Sequence, residues 1–423
     1  MTRTRSRRGR LVLASVALAV CARIVCAQAL DREQAAAASA GSPDVARERE
    51  LERAAEEDPL AKRREESIDA PREWQDKPNA VKPYASARIR YRVEEREQLW
   101  GDAGSRFGAE GLYQFGPRSW LIGRAEAGVN VLDSVDALLS PSAGKPLREA
   151  ADNVFLRLLY GGIETEKAAV TFGKNWSPYY QVAGFTDLFQ GAGGSASGTF
   201  NAGTDGGSTG TGRADTALQA RFLITPPAGW FNLRPFQLNV QAQYDEPVPG
   251  VPGAAYGAAV DASAIVDWWP GYTIGLAYNR AIVRDRDAPA LRAAGIDGDA
   301  QAALIGVRRL SGRWNLAATV SRLLNHETTE QRVYFDGWGA ELYVQYQLTS
   351  RVFVVGGGNW LKPDRTQAQA GEYQIRYAQF EVRYTFRDFS RMVYASVKLD
   401  GGRASDGLGL PDIFTIGVRW DWP

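Results

Sequence analysis

Charged side chains recur at every second position in several short segments of this chain, so that they share one face of an extended strand. In the first such segment, Arg88, Arg90 and Arg92 alternate with Ala, Ile and Tyr. A row of guanidinium groups of this kind could line a wet passage and act on permeating ions through its field. The same alternation places further charges on this face: Arg106, Glu110, Arg124, Glu126 and Arg157, with Arg213 and Arg221 beyond a long Gly-rich segment.

The Gly-rich segment is the stretch around which the rest of the chain is organised. Strand-like runs, Ala169–Trp176 and Thr216–Ile224, flank a region rich in Gly, Ser and Thr. A structureless loop of this length inside a compact domain is uncommon and usually functional. Because its flanks are strands, the loop must leave a sheet and return to it, which predicts a barrel whose bore is narrowed from inside.

From Tyr84 onward the chain keeps a period of two in segments of about ten residues, as transmembrane barrel strands do. An even number of strands is the rule for bacterial single-chain barrels. We predict an all-β fold, an antiparallel barrel of sixteen strands with its third loop folded inward. The predicted strands are Tyr84–Val93, Ser105–Phe115, Ser119–Val131, Asn153–Glu164, Ala168–Trp176, Thr216–Ile224, Pro235–Tyr244, Ala255–Trp268, Tyr272–Val283, Ala300–Leu310, Arg313–Leu324, Gly337–Leu348, Arg351–Leu361, Tyr373–Phe386, Met392–Leu399 and Asp412–Trp422.

A soluble β-sandwich or barrel is the alternative explanation of this pattern. Aromatic residues at the strand ends, such as Trp268 and Trp360, are instead typical of membrane-interface girdles. An Arg facing lipid at mid-bilayer costs about 2–4 kcal/mol, so the arginine face is predicted to be the lumen, although single arginines could snorkel at the interface. No stretch of eighteen apolar residues is present, which excludes a helical membrane protein.

The first eighty residues differ from the rest of the chain in composition and lack its period-two pattern. Residues 1–29 combine a basic start, a short apolar run and Ala27-Gln28-Ala29, which predicts a cleaved signal peptide and export. Together with the barrel pattern, this predicts an outer-membrane protein. This segment holds both cysteines, six arginines and no acid, so its removal turns the formal charge of +1 into −5. The mature chain would therefore be mildly acidic, which does not favour binding to nucleic acid. It would also have no cysteine to bind a metal.

Residues 30–80, rich in Ala, Glu and Arg, are interpreted as a periplasmic extension, either flexible or a helix that docks under the barrel or binds a periplasmic partner. Residues 81–423 are interpreted as the barrel.

Several motifs resemble the general porins of Gram-negative bacteria, which are sixteen-stranded trimeric diffusion channels. The likeness covers about Tyr84 to Trp422, and the motifs are SRFGAEG, GRAEAGVNVLD, FLRLLYGGIE, GKNWSPYYQVAGFTDLF and GTGRADTALQAR. The resemblance implies a homotrimer, an inward third loop that begins at Phe185-Thr186-Asp187 and turns at Gly193-Gly194, and an arginine cluster of Arg106, Arg124 and Arg213 opposite Asp187.

Two features of the sequence depart from the family pattern. Gln190, Gly191 and Ala192 stand where a second loop acid often occurs, which should tilt the local field positive unless Asp205 and Asp215 compensate. The chain ends on Pro423 rather than on an aromatic residue.

The function predicted is passive diffusion of small hydrophilic solutes and ions through a constriction formed by Arg88, Arg106, Arg124, Arg157, Arg213, Asp187, Glu110 and Glu126, with a weak anion preference. The alternative is a substrate-specific channel for a sugar, phosphate or organic acid, with Trp176, Tyr179 and Tyr180 as candidate sugar contacts. A barrel that only anchors the envelope is a further possibility. Predicted partners are solutes, ions and outer-membrane lipid, and neither a cofactor nor a metal is expected.

An enzyme is not expected, because a nucleophilic serine generally needs a base. The only histidine, His326, is predicted to lie on the surface of an outer loop.

Overall fold

The computed structural model describes residues 79–95, 97–132, 153–226, 235–386 and 390–422. The predicted signal peptide, most of the predicted extension, the loop beyond Leu132 and Pro423 lie outside these residues. Among the described residues, no helix is long and apolar enough to cross a membrane.

The described strands form one closed antiparallel barrel in which every strand pairs with its neighbours in the chain. The first and last strands close it, with Ala85 opposite Trp422 and Glu94 opposite Ile413. The second strand, Glu97–Asp102 with Arg106–Gly116, is interrupted by an irregularity but counts once, because both of its parts pair antiparallel with the first strand, Ala80–Glu94. The sixteen strands are β1 Ala80–Glu94, β2 Glu97–Asp102 with Arg106–Gly116, β3 Ser119–Val129, β4 Val154–Thr165, β5 Ala168–Trp176, β6 Arg213–Ile224, β7 Phe236–Pro247, β8 Ala255–Trp269, β9 Tyr272–Val283, β10 Ala300–Ser311, β11 Trp314–Thr328, β12 Tyr334–Gln347, β13 Val352–Pro363, β14 Ile375–Thr385, β15 Arg391–Asp400 and β16 Ile413–Trp422.

The predicted number and order of strands are confirmed, and the largest difference in bounds is at β2. This strand begins at Glu97 instead of Ser105. The prediction began the strand later because the segment Glu97–Asp102 contains Glu, Gln, Gly and Asp, a composition typical of a loop. The interruption is held by Asp102, whose carboxylate accepts the backbone N–H groups of Gly104 at 2.6 Å and Ser105 at 2.7 Å. Gly104 has a φ of +93°, a conformation that favours glycine.

The two faces of the wall differ as the alternation predicted. Large apolar side chains such as Leu276, Leu342, Phe380 and Ile416 point outward and are exposed. Inward positions on the same strands carry polar side chains, including Asn279, Glu341 and Thr415, which are buried by the contents of the lumen. An apolar exterior around a polar interior is the arrangement of a transmembrane barrel.

The two ends of the barrel also differ. One end, called here the turn rim, has short connections such as those between Trp269 and Tyr272 or Ser311 and Trp314, and β1 begins and β16 ends there. The opposite end, the loop rim, carries most of the longer connections, although β1 and β2 are joined there between Glu94 and Glu97. Exposed Trp268 and Trp314 lie at the turn rim, and Trp338 and Trp360 lie at the loop rim.

The third loop, L3, runs from Ser177 to Gly212 between β5 and β6. It starts with a short helix, α1 (Pro178–Ala183), capped by the Ser177 hydroxyl, which accepts the backbone N–H of Tyr180 at 3.0 Å. The helix packs against the wall at β8, β9 and β10. Glycines make room for it: a Cβ on Gly275 or on Gly306 would lie 2.8 or 2.9 Å from a Val182 methyl. Val182 and Phe185 thereby enter the larger of the apolar clusters.

A second apolar cluster closes part of the loop rim. It joins Val248 and Val251 of the fourth loop to Leu291 and Ile296 of the fifth, which contains helix α2 (Pro289–Ala293). The Tyr334 hydroxyl donates to the Pro249 carbonyl at 2.7 Å and ties this cluster to β12. Both clusters lie on the β8–β13 side, so the arginine-bearing strands β1 to β4 and β16 face the remaining lumen.

Candidate functional site: a constriction between L3 and an arginine wall

Three carboxylates of the wall hold L3 by its backbone. Asp261 accepts the N–H of Tyr179 at 2.9 Å. Glu341 accepts the N–H groups of Ala196 at 2.7 Å and Ser197 at 2.9 Å, together with the Thr186 hydroxyl at 2.6 Å. Glu381 accepts the N–H groups of Gln190 and Gly191 at 3.0 and 3.1 Å. Because hydrogen bonds to charged acceptors are stronger than neutral ones, these carboxylates fix the path of L3 across the lumen.

Amides and a close backbone contact complete the attachment. Gln241 and Gln243 of β7 and Asn279 of β9 donate to carbonyl oxygens of the 207–210 segment of L3. At Gly339 of β12 a Cβ would lie 1.7 Å from the Ala196 carbonyl oxygen. Only glycine permits that approach, so the tip of L3 rests directly on the wall.

On the other side, Glu126 is the centre of an arginine cluster formed by β2, β3 and β4. Its carboxylate lies 2.8 Å from Arg124, 2.7 Å from Arg157 and 4.0 Å from Arg106. The Tyr84 hydroxyl donates to it at 2.8 Å. The side chain of Glu126 is nearly inaccessible, whereas the three guanidinium groups reach the lumen. One carboxylate therefore pairs with three guanidinium groups, so the net charge of the cluster, and with it the local field, is positive.

The cluster continues onto β1 and β16. Arg88 lies opposite Arg419 in the strand register. Asp421 pairs with Arg419 at 2.7 Å and with Arg88 at 4.0 Å, and it accepts the Ser86 hydroxyl at 2.5 Å. Arg419 was not among the predicted site residues. Its alternation with Ile416, Val418 and Trp420 on the last strand was the signal that could have found it.

Arg213 is the first residue of β6, at the exit of L3. Its guanidinium carbon lies 5.6 Å from the Trp176 ring centre, and its Nε lies 3.8 Å from Asp205. Lys174, which the sequence reasoning missed, pairs with Asp205 at 3.0 Å and with Asp215. The two acids expected to compensate for the arginines are therefore occupied in part by a lysine.

Asp187 lies on the L3 side of the lumen. It accepts the Tyr180 hydroxyl at 3.1 Å and sits against the Gly193-Gly194 turn, where a Cβ on Gly194 would approach its Oδ1 to 2.9 Å. Burial raises the pKa of the Asp187 carboxyl, and the hydrogen bond from Tyr180 offsets part of that rise. The Asp187 carboxyl is therefore a weaker acid than a free aspartic acid side chain.

The remaining predicted residues lie away from this centre. Glu110 stands opposite Arg124 in the β2–β3 register, on the lumen face. Arg221 pairs with Glu164 towards the turn rim, and Arg92 pairs with Glu94 at 2.6 Å towards the loop rim.

The candidate sugar contacts Trp176, Tyr179 and Tyr180 make packing and hydrogen-bond contacts with L3 itself. Trp176 stacks on Tyr180 with ring centres 4.0 Å apart, and the Tyr179 hydroxyl donates to the Ser197 carbonyl at 2.5 Å. These aromatic residues pack the loop and do not form a slide along the lumen.

The interpretation of His326 was wrong. It lies in β11, not on a loop, and it is completely buried beneath L3, where its backbone carbonyl accepts the Asn201 amide at 3.4 Å. The strand continues past Leu324 to Thr328 across a register shift between Leu323 and Glu327, which the local sequence does not indicate. No group of three or more His, Cys, Asp or Glu side chains that could hold a metal occurs among the described residues.

Comparison with known proteins supports the fold. No family model and no curated protein matches the sequence. Among solved structures, the chain is similar to Salmonella typhi OmpF in complex with daunomycin, with a TM-score of 0.65, 17% identity and coverage of 81% of this chain and 98% of that one.

Two further solved structures are similar. The anion-selective porin from Comamonas acidovorans gives a TM-score of 0.57 with 11% identity, over 82% of this chain and 100% of that one. The trimer form of OmpT, an outer membrane protein of Vibrio cholerae, gives 0.55 with 14% identity and the same coverage. At these identities the likeness shows that this chain has the barrel fold of porins.

Proposed function

We propose that this chain is an outer-membrane porin, a passive channel for small hydrophilic solutes and ions in a Gram-negative cell. The observation that carries the proposal is L3, which is fastened across the lumen by Asp261, Glu341 and Glu381 and faces the arginine wall. A fold that only anchors the envelope has no need of a loop held inside its bore. A barrel enzyme would need a catalytic group, and the only histidine is enclosed beneath L3.

The proposed constriction lies between Asp187 on L3 and the wall that carries Arg88, Arg106, Arg124, Arg157 and Arg213, with Glu110 and Glu126 on the same face. We infer a weak anion preference, because these five arginines and Arg419 outnumber the three acids that pair with them, Glu126, Asp205 and Asp421. Rings and rows of fixed charge select permeants in this way. The similar porin from Comamonas acidovorans is anion-selective, which is consistent with this inference.

The proposed assembly is a homotrimer in outer-membrane lipid, delivered through a signal peptide at residues 1–29, with residues 30–80 in the periplasm. The trimer form of the similar Vibrio protein supports the first part. Sequencing the N-terminus of the mature protein tests the cleavage site.

Planar-bilayer recordings of the refolded chain test the function. We expect large, steady conductance steps in groups of three, and a reversal potential in a KCl gradient of the sign that anion preference gives. A clear cation preference would contradict the inference that the arginine wall makes the channel anion-selective. Small currents that one class of solute blocks saturably would favour the substrate-specific alternative, and an absence of current would reject the channel.

A further inference from the structure

A row of four residues crosses the lumen wall between the constriction and the loop rim. Tyr394 of β15 lies opposite Gly417 of β16 in the strand register. Gly417 lies opposite Arg90 of β1, which in turn lies opposite Gly101 of β2. Because residues opposite each other in an antiparallel pair share one face, all four belong to the lumen face. The row lies two residues along β1 from Arg88, on the side nearer the loop rim.

Arg90 differs from the two other arginines of β1 in having no partner. Arg88 pairs with Asp421 at 4.0 Å, and Arg92 pairs with Glu94 at 2.6 Å. The half-buried side chain of Arg90 makes no ion pair and no hydrogen bond with any of the described residues. Its charge is therefore available to a solute that enters the lumen from the loop rim.

The two glycines of the row shape the space around Arg90. A Cβ on Gly417 would lie 2.3 Å from both Cζ and the hydroxyl oxygen of Tyr394. The ring of Tyr394 therefore crosses over β16 at this glycine, and its hydroxyl end is directed towards β1. The charges of Arg88 and Arg90 both act on that hydroxyl, which places it beside them. On the other side of Arg90, a Cβ on Gly101 would meet nothing within 4 Å, so open space lies there.

The Tyr394 hydroxyl also lacks a hydrogen-bond partner among the described residues, although Tyr394 is only 4% exposed. Buried polar groups are normally hydrogen-bonded, and leaving one without a partner is destabilising. The acid Glu381, whose charge also reaches this hydroxyl, is already paired with Arg383 and accepts N–H groups of L3. An acceptor that takes hydrogen bonds from Tyr394 and Arg90 together would satisfy both side chains.

We propose that Arg90 and Tyr394 form a binding subsite for a small oxyanion, such as inorganic phosphate, in the outer part of the lumen. The planar guanidinium group presents paired donors that match two oxygens of an oxyanion, which a spherical chloride ion does not offer. The tyrosine hydroxyl donates a third hydrogen bond. Because the hydroxyl oxygen is covered, the ligand reaches it when Arg90 turns into the open space beside Gly101. An oxyanion released from this subsite next meets Arg88, about 7 Å further along β1.

The inference rests on the proposed function for the wet lumen that holds the subsite. The experiment measures the binding of inorganic phosphate to the full refolded chain in neutral detergent, from the broadening of the phosphorus NMR resonance at neutral pH and low salt. We expect saturable broadening in the wild type, which an equal concentration of chloride does not reverse. R90Q and Y394F should each weaken the binding about tenfold, as the loss of one hydrogen bond to a charged group does.

Two further variants serve as a control and as a second test. R92Q/E94Q removes an ion pair from the same strand without changing the net charge, so it should bind phosphate as the wild type does. G101V should weaken the binding, because its side chain occupies the open space beside Arg90. The valine meets no neighbour within 4 Å of its Cβ, so the barrel should fold as before.

Phosphate binding by R90Q that equals that of the wild type would overturn the proposal, because the arginines of the constriction remain in that variant. Wild-type binding by Y394F, an equal loss in R92Q/E94Q, or displacement of phosphate by an equal concentration of chloride would also overturn it. Bilayer conductance separates this inference from the proposed function. Conductance without saturable phosphate binding would reject the subsite alone, and phosphate binding without conductance would reject the channel alone.

Discussion

Replacing Arg213 with Gln is the cleanest test of the arginine wall. Arg213 meets its nearest acid, Asp205, at only 3.8 Å, and Asp205 keeps Lys174 at 3.0 Å when the arginine is removed. No carboxylate is therefore left without a cation. The change subtracts one positive charge from the lumen at little cost to the fold.

The magnitude follows from Coulomb's law. For an ion passing about 6 Å from the charge, the interaction is about 0.7 kcal/mol at the dielectric constant of water and about 1.4 kcal/mol at half that value. These energies correspond to about threefold and tenfold in the occupancy of an anion. The R213Q channel should therefore lose most or all of a weak anion preference.

The assay is the reversal potential of R213Q in a KCl gradient, recorded at about 0.1 M salt, where the screening length is about 10 Å. Arg309→Gln, on the outer face of β10, removes the same charge outside the lumen and should leave the reversal potential unchanged. A reversal potential that is the same in R213Q and in the wild type would refute the assignment of Arg213 to the constriction. A shift of equal size in R309Q would show that the assay reports the net charge of the protein.

Three other substitutions test separate parts of the structure. Asp187→Asn should increase the anion preference; in the wild type the preference should rise as the pH falls through the raised pKa of Asp187, and D187N should lack that step in reversal potentials recorded against pH. Glu341→Ala removes the acceptor of the Ala196 and Ser197 N–H groups, each unsatisfied group costing about 1–3 kcal/mol, so single-channel traces should show a noisier current than Glu341→Gln, which keeps one acceptor oxygen. Leu342→Arg, on the outer face, should destabilise the barrel by about 2–4 kcal/mol in urea unfolding from lipid vesicles.

Each of these expectations has a result that contradicts it. A pH-dependent step that persists in D187N would assign the titration to another group. Quiet, wild-type traces from E341A would mean that L3 does not depend on that carboxylate. Unchanged stability of L342R would place the outer face in water and not in lipid.

The strands were predictable because each one has lipid on its outer face and the polar lumen on its inner face. Ile416 and Val418 alternate with Thr415 and Arg419 since one set faces lipid and the other faces the lumen. The start of β2 was not predictable, because its interruption depends on a local Asp102 turn in a polar segment. An even number of antiparallel strands is consistent with a closed barrel, and the pairing of β1 with β16 shows the closure.

The site was only partly predictable. The alternation of the sequence places Glu126 on the same face as the arginines, but it does not show that this one carboxylate pairs with three guanidinium groups. The tethers of L3 join residues far apart in the sequence, such as Tyr179 with Asp261 and Ala196 with Glu341, and only the folded chain brings them together. The burial of His326 follows from the same loop, so it was missed for the same reason.

The position of L3 decides the sign of the field in the lumen. Asp261, Glu341 and Glu381 all point inward, and a count of inward charges from the sequence would set them against the arginines. Each is at most 4% exposed because L3 covers it, and each accepts N–H groups of the loop, while Glu381 is also paired with buried Arg383. Water in the lumen therefore meets the arginine wall and not these acids. The same loop that narrows the bore also hides its negative charges, so a variant that loosens L3 should lose anion preference together with its steady current.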